Sequence, residues 1–134
     1  MARYVRYQSA VPNDRGSFPG VFALAIGLRD SGRLSLAERG KLEEANARMT
    51  EAYVDPTTLV PDCYDRILNP GARAWFRADA VRLLELTRFH LALLERHRVP
   101  WMELSTRTPG RIVYEDGVQV VAVPFSFPGD WPLR

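Results

Sequence analysis

The pattern of hydrophobic and polar positions predicts strands at both ends of the chain and helices between them. Residues 3–8 alternate between polar and apolar side chains, which predicts a first strand. Residues 11–20 are rich in proline, glycine, asparagine and aspartate, and predict a loop. Residues 21–28 are mostly apolar, so a helix buried on most sides is expected, ending near Gly32.

Two further helices are predicted from their start signals. Ser35 and Glu38 have the spacing of a capping box, and the apolar residues that follow recur at helical intervals. This second helix should end before Asp55-Pro56, because a residue that precedes proline avoids the helical conformation. Asn69-Pro70, a capping residue followed by proline, predicts a long third helix over residues 70–98.

From Trp101 onward the hydrophobic period changes to two. Strands are expected over residues 101–106, 111–115 and 118–124, with a tight hairpin turn at Asp116-Gly117. The first strand should join this sheet, because a lone strand leaves its backbone groups unpaired. The predicted fold class is α+β: a small, mostly antiparallel sheet, made of the N-terminal strand and a C-terminal hairpin or meander, packed against three helices.

Length and composition suit one domain over residues 1–134 that ends in an aromatic and proline-rich tail, residues 125–134. The tail carries Phe127 and Trp131, and such side chains need a surface to cover them, on their own domain or on a partner. Cys63 is the only cysteine, which excludes a disulfide framework. The absence of a signal-like start or a bilayer-length apolar run predicts a cytoplasmic protein without a membrane partner.

Catalytic signatures such as a phosphate-binding glycine loop, a zinc-protease helix or a nucleophile elbow are absent from the sequence. His90 and His97, the only histidines, are seven residues apart, which is too far for one helix to bind a shared metal ion. No metal site and no cofactor is therefore expected. His90, Asp14 and Asp65 are the candidates for acid–base chemistry, and a packed core histidine is the alternative for His90.

The loop before the first helix is one candidate binding site. Asn13 and Arg15 precede a helix N-terminus, where free N–H groups favour an anion. A small anionic ligand is therefore predicted between the loop 11–20 and the long helix 70–98. The alternative is that Asn13 and Asp14 form a local turn and that Arg15 is solvated.

A second candidate site lies at the start of the predicted long helix. Arg73 and Arg77 would be one turn apart beside Trp75, a combination typical of interaction hot spots. The alternative is a solvated helix face with a half-buried tryptophan.

Three functions follow from these residues. The first is a non-catalytic interaction protein that acts through a protein–protein surface, with a protein partner or a second copy of itself in a homodimer. The second is a small enzyme or ligand-binding protein with an anion site. The third is a nucleic-acid binder, supported by arginine content alone: Lys41 is the only lysine, and the net charge is +2. Because acidic residues are interleaved with the arginines, nucleic acid is not the expected partner.

Overall fold

The computed structural model describes residues 2–125, which contain a five-stranded antiparallel sheet. Across the sheet the strands follow the order β3-β1-β2-β5-β4, with the bounds β1 (Tyr4–Ser9), β2 (Arg73–Arg77), β3 (Trp101–Thr106), β4 (Arg111–Glu115) and β5 (Gln119–Val123). The helices are α1 (Val21–Asp30), α2 (Leu36–Ala52) and α3 (Val81–Arg96), with a short 3₁₀ turn at Pro56–Thr58.

The predicted α+β class is confirmed. The N-terminal strand β1 joins the C-terminal strands, because Val5 pairs with Ser105 of β3 and with Phe76 of β2. Strand β5 is interior and almost wholly buried, as its run of apolar residues predicted. The hairpin at Asp116-Gly117 connects β4 to β5, and the Asp116 carboxylate accepts hydrogen bonds from two backbone amides of this turn.

The second predicted helix begins with the expected capping box. The Ser35 hydroxyl oxygen accepts a hydrogen bond from the Glu38 amide at 3.1 Å, and the Glu38 carboxylate accepts one from the Ser35 amide at 3.0 Å. These two bonds satisfy backbone donors that the first turn of a helix leaves free.

The predicted helix over residues 70–98 is wrong in its first part. Gly71 adopts a positive φ of 75° in a turn, residues 73–77 form β2, and the helix begins only at Val81. The sequence Arg-Ala-Trp-Phe-Arg fits an alternating pattern as well as a helical one, and its aromatic residues favour a strand. Pairing decides between the two, because β2 supplies backbone partners to both β1 and β5.

The main core lies between the helices and one face of the sheet. Leu28, Leu42 and Leu94 are buried at its centre. Tyr7 of β1 and Trp101 of β3 close it from the sheet side, with their rings edge to face and their centroids 5.8 Å apart. Burial of these side chains is what holds the helices on the sheet.

Within residues 2–125, no helix is long and apolar enough to cross a membrane. The same residues contain no group of three histidine, cysteine or acidic side chains arranged to hold a metal ion.

Candidate functional site

A cavity of about 450 Å³ lies where strands β1 and β2 separate. The two strands pair only at Tyr4 with Arg77 and at Val5 with Phe76. Beyond these pairs β1 continues along β3, while Gln8 forms a single bridge with Gly20. The walls of the cavity come from β1 and β2, the start of α1, the end of α2 and the connector that follows α2.

Aromatic rings form much of the cavity wall. Phe22 of α1 and Phe76 of β2 have centroids 6.2 Å apart, and the ring of Tyr53 meets Phe76 edge to face at 5.3 Å. Tyr64 of the connector completes this group. The wall is therefore apolar over most of its area, and three of its rings, those of Tyr7, Tyr53 and Tyr64, carry hydroxyl groups.

Arg6 of β1 brings a positive charge to the cavity wall. Its Nε donates to the Gln8 side-chain oxygen at 2.8 Å, and its terminal nitrogens donate to the carbonyls of Ala74 at 3.1 Å and Phe18 at 3.4 Å. The bond to Ala74 satisfies a β2 carbonyl beside the gap between the strands. All three acceptors are uncharged, so none of them neutralises the guanidinium.

The Arg6 guanidinium keeps unused hydrogen-bonding capacity. A guanidinium has five N–H donors, and the three bonds leave one hydrogen on each terminal nitrogen without an acceptor among the described residues. Nor does any carboxylate within residues 2–125 form an ion pair with Arg6. Burial, followed by the positive charge of Arg73, lowers the pKa of Arg6 to about 10. The group is therefore still a cation at neutral pH, and it has no carboxylate counter-ion among residues 2–125.

Besides Arg6, the polar groups of the described lining are the hydroxyls of Tyr7, Thr50, Tyr53 and Tyr64, the Asp55 carboxylate and the Gln119 amide. Burial raises the pKa of Tyr53, and it raises the pKa of Tyr64 to about 12 although 41% of the Tyr64 residue is exposed. Both phenols therefore stay protonated and can donate. The Asp55 carboxylate accepts hydrogen bonds from the Thr57 amide and hydroxyl at 2.9 and 2.7 Å, which ties it to the 3₁₀ turn.

Gln119 of β5 fixes the connector that forms one wall. It is 1% exposed, and its amide nitrogen donates to the Val54 carbonyl at 2.7 Å and to the Asp116 carboxylate at 3.0 Å. A buried amide with both hydrogens bonded resists displacement. The end of α2 is thereby held against the sheet, which keeps Tyr53 in place.

The predicted loop site does not have the expected arrangement. Asn13, Asp14 and Arg15 are exposed, and the Asn13 side chain accepts hydrogen bonds from the amides of Arg15 and Ser17. Asn13 thus makes the local turn that was the alternative prediction. Only the end of the loop, at Gly20, reaches the cavity.

The candidate acid–base residues Asp65 and His90 have separate hydrogen-bond partners. The Asp65 carboxylate accepts hydrogen bonds from the Ile67 and Leu68 amides, and these bonds lower its pKa. His90 is fully buried on α3, where its Nε2 lies 2.8 Å from the Asn46 side-chain oxygen and its ring meets Phe22 edge to face. Burial lowers the pKa of His90 to about 4, so it is a neutral core residue at pH 7.

The proposed arginine and tryptophan cluster lies on β2 and not on a helix. Arg77 forms two hydrogen bonds of 3.0 Å with Asp79. Trp75 is 2% exposed, packs with Tyr4 and Val120, and its indole N–H has no acceptor among residues 2–125. Arg73 is partly buried. Phe127 and Trp131 lie outside the described residues.

The sequence-based prediction missed Arg6, Tyr53 and Tyr64. One indication that Arg6 differs from Arg3 was present in the sequence. The two residues are three positions apart on the predicted first strand, so their side chains should point to opposite faces of the sheet. Arg3 is indeed exposed, whereas Arg6 lines the cavity. The two tyrosines carry no such signal, since they come from segments that only the fold brings together.

No protein-family model, curated protein or solved structure shows significant similarity to this chain. Its function therefore has to be inferred from the chemistry of the site.

Proposed function

We propose that this chain is a binding protein for a small organic anion, with the ligand held in the cavity between β1 and β2. The observation that carries the proposal is the Arg6 guanidinium, a cation that has no carboxylate partner among residues 2–125 and that lines a cavity with several aromatic rings. Arg6 is partly buried, and withdrawing a charge from water is costly unless the charge is paired. A bound anion would supply the missing pair.

The dimensions and lining of the cavity support this role. Small-molecule sites have volumes of roughly 300–1,000 Å³ and are lined by apolar side chains with a few polar groups that orient the ligand. A cavity of about 450 Å³ with one guanidinium and several rings fits that description. The two free N–H groups of Arg6 can donate to an anionic oxygen, which is the contact that arginine makes best.

This proposal keeps the predicted anionic ligand but moves its site. The anion would bind to Arg6 on the first strand, and Arg15 on the exposed loop would not contact it. The interaction-protein hypothesis rests largely on the tail, residues 125–134, nearly all of which lies outside the described part of the chain, and it stays a prediction.

The proposal is tested by calorimetric titration with two matched ligand pairs: phenylacetate with 2-phenylacetamide, and hexanoate with hexanamide. Each acid should bind more tightly than its amide, because only the acid neutralises Arg6. A hydrogen bond to a charged group contributes about 1.5–3 kcal/mol, which corresponds to about ten- to a hundredfold in affinity. Arg6→Met should abolish this preference.

Arg107→Met is the matched control, because Arg107 is exposed and outside the cavity. This variant should bind as the unmodified protein does. Arg6→Lys keeps the charge and should retain part of the preference for acids, even if Arg6→Met folds poorly. Equal affinity for acids and amides, or no binding of any of them, would contradict the proposed function.

A further inference from the structure

We propose that the ligand is an aromatic monocarboxylate, whose carboxylate is bound jointly by Arg6 and the hydroxyl of Tyr64. This inference rests on the proposed function and names its ligand class. It follows from three features of the cavity: which hydroxyl lies near the guanidinium, what kind of wall surrounds the ligand body, and how much charge the site can balance.

Tyr64 is the hydroxyl that accompanies Arg6. Both side chains line the cavity, the Tyr64 ring has no edge-to-face ring partner among the described residues, and the positive charge of Arg6 opposes the rise in pKa that burial gives Tyr64. The Tyr64 hydroxyl has no hydrogen-bond partner within the described residues, and it stays protonated at neutral pH. It is therefore a free donor beside a cation, and a carboxylate with two oxygens can accept from both groups.

Tyr53 differs from Tyr64 in this respect. Its ring packs edge to face on Phe76, which places it in the aromatic part of the cavity wall. Tyr53 thus belongs to the wall that surrounds the body of the ligand. The two tyrosines provide a matched pair for mutation, since the same change removes the hydroxyl of a ring packed on Phe76 in one case and of a ring without such a ring partner among the described residues in the other.

The wall favours an aromatic ligand body over an aliphatic one. Phe22, Tyr53 and Phe76 already meet in edge-to-face pairs, and a further ring can extend the same arrangement. Such ring pairs add affinity beyond the area they bury. The expected preference for an aromatic body over its saturated counterpart is about fivefold.

The charge of the site favours a single negative charge on the ligand. Arg6 is the cationic side chain among the described lining residues and Arg73 is a second positive charge near enough to lower the pKa of Arg6, but the lining also includes the Asp55 carboxylate, which offsets one of the two. A dianionic phosphate would leave one charge unbalanced and would be repelled by Asp55. The cavity should therefore bind a carboxylate more tightly than a phosphate ester of similar shape.

The test compares phenylacetate with cyclohexylacetate, phenyl phosphate and 2-phenylacetamide on the full chain and two variants. Tyr64→Phe should weaken phenylacetate binding about tenfold and weaken 2-phenylacetamide binding less, because a hydrogen bond from the hydroxyl to a charged carboxylate is stronger than one to an amide carbonyl. Tyr53→Phe should keep the affinity for phenylacetate. On the unmodified chain, phenylacetate should bind more tightly than cyclohexylacetate and phenyl phosphate.

The outcomes separate this inference from the proposed function. If cyclohexylacetate or phenyl phosphate binds at least as tightly as phenylacetate, the ligand class is wrong while an anion site remains. If Tyr64→Phe and Tyr53→Phe have equal effects, the assignment of Tyr64 is wrong. If no acid binds more tightly than its amide, the proposed function fails with it.

Discussion

At the scale of single residues, Gly110 shows how closely the chain approaches itself. Its φ of 132° is one that other residues rarely adopt, and an added Cβ would overlap with the Val123 carbonyl group. Gly110 lies just before β4, so its conformation allows the backbone to pass close to the end of β5. The position has no room for a side chain and no alternative backbone conformation that keeps this approach.

Gly110→Ala should therefore lower the free energy of unfolding by at least about 2 kcal/mol, from backbone strain and overlap together. The measurement is urea unfolding followed by circular dichroism. Gly40→Ala is the control, since Gly40 lies in α2 with open space around it and the change should stabilise the helix by about 0.5–1 kcal/mol. Equal effects of the two changes would contradict this description of the loop.

His90 predicts a second residue-scale effect, on the pH dependence of stability. Its folded pKa of about 4 is below the ordinary value of 6.5, so the unfolded chain binds more protons between these two pH values. The contribution of neutral His90 to the free energy of unfolding is fully present above pH 6.5 and is lost as the pH falls to about 4. Its loss lowers the free energy of unfolding by an amount on the order of 3 kcal/mol. His90→Gln should unfold with a weaker pH dependence in this window.

The experiment measures urea unfolding of both proteins at a series of pH values across the window. The same slope in His90→Gln and the unmodified chain would show that His90 is not held neutral in the folded state. Glu38 contributes in the same direction at lower pH, because hydrogen bonds from Ser35 and His97 lower its pKa to about 2. Its contribution is lost as the pH falls towards 2.

At the scale of elements, the capping box makes the start of α2 sensitive to one hydroxyl. Ser35→Ala removes the acceptor for the Glu38 amide and should lower the free energy of unfolding by about 1 kcal/mol. Ser105→Ala is the matched control, because Ser105 is exposed on the edge strand β3. Thermal unfolding of the two variants checks this, and equal melting temperatures would contradict the role of the cap.

The elements also show what a sequence can predict and where it fails. Helix α2 and the β4–β5 hairpin were predicted because their signals are local: a capping box in one case and an Asp-Gly turn in the other. Strand β2 was missed because its five residues fit two periods, and only pairing with β1 and β5 selects the strand. The cavity was missed because it too depends on contacts between distant segments. Only folding brings Arg6 and Tyr64 into the lining of one cavity.

At the scale of the whole molecule, exposed apolar side chains lie on the connector between α2 and β2. Leu59, Ile67 and Leu68 are 64%, 89% and 59% exposed. Exposed apolar groups on one segment are typical of interaction surfaces. These three side chains lie within the described residues, and they support the self-association hypothesis independently of the tail.

If this connector mediates self-association, native mass spectrometry should detect a dimer whose fraction rises with protein concentration. Joint replacement of Leu59, Ile67 and Leu68 by serine should lower that fraction. Leu36→Ser is the control, because Leu36 is 86% exposed at the start of α2 and away from the connector. A monomer at every concentration would contradict the hypothesis, and a dimer lost only on deletion of residues 125–134 would assign it to the tail.

The central claim is that the cavity beside Arg6 binds an organic anion, and its most direct test is magnetic resonance of isotope-labelled protein titrated with phenylacetate. The side-chain N–H signal of Arg6 and the backbone amides of Gly20 and Phe76 should shift and saturate together. The signals of the exposed Asn13 and Arg15 should stay in place. Shifts confined to that loop, or no saturable shift at Arg6, would contradict the claim.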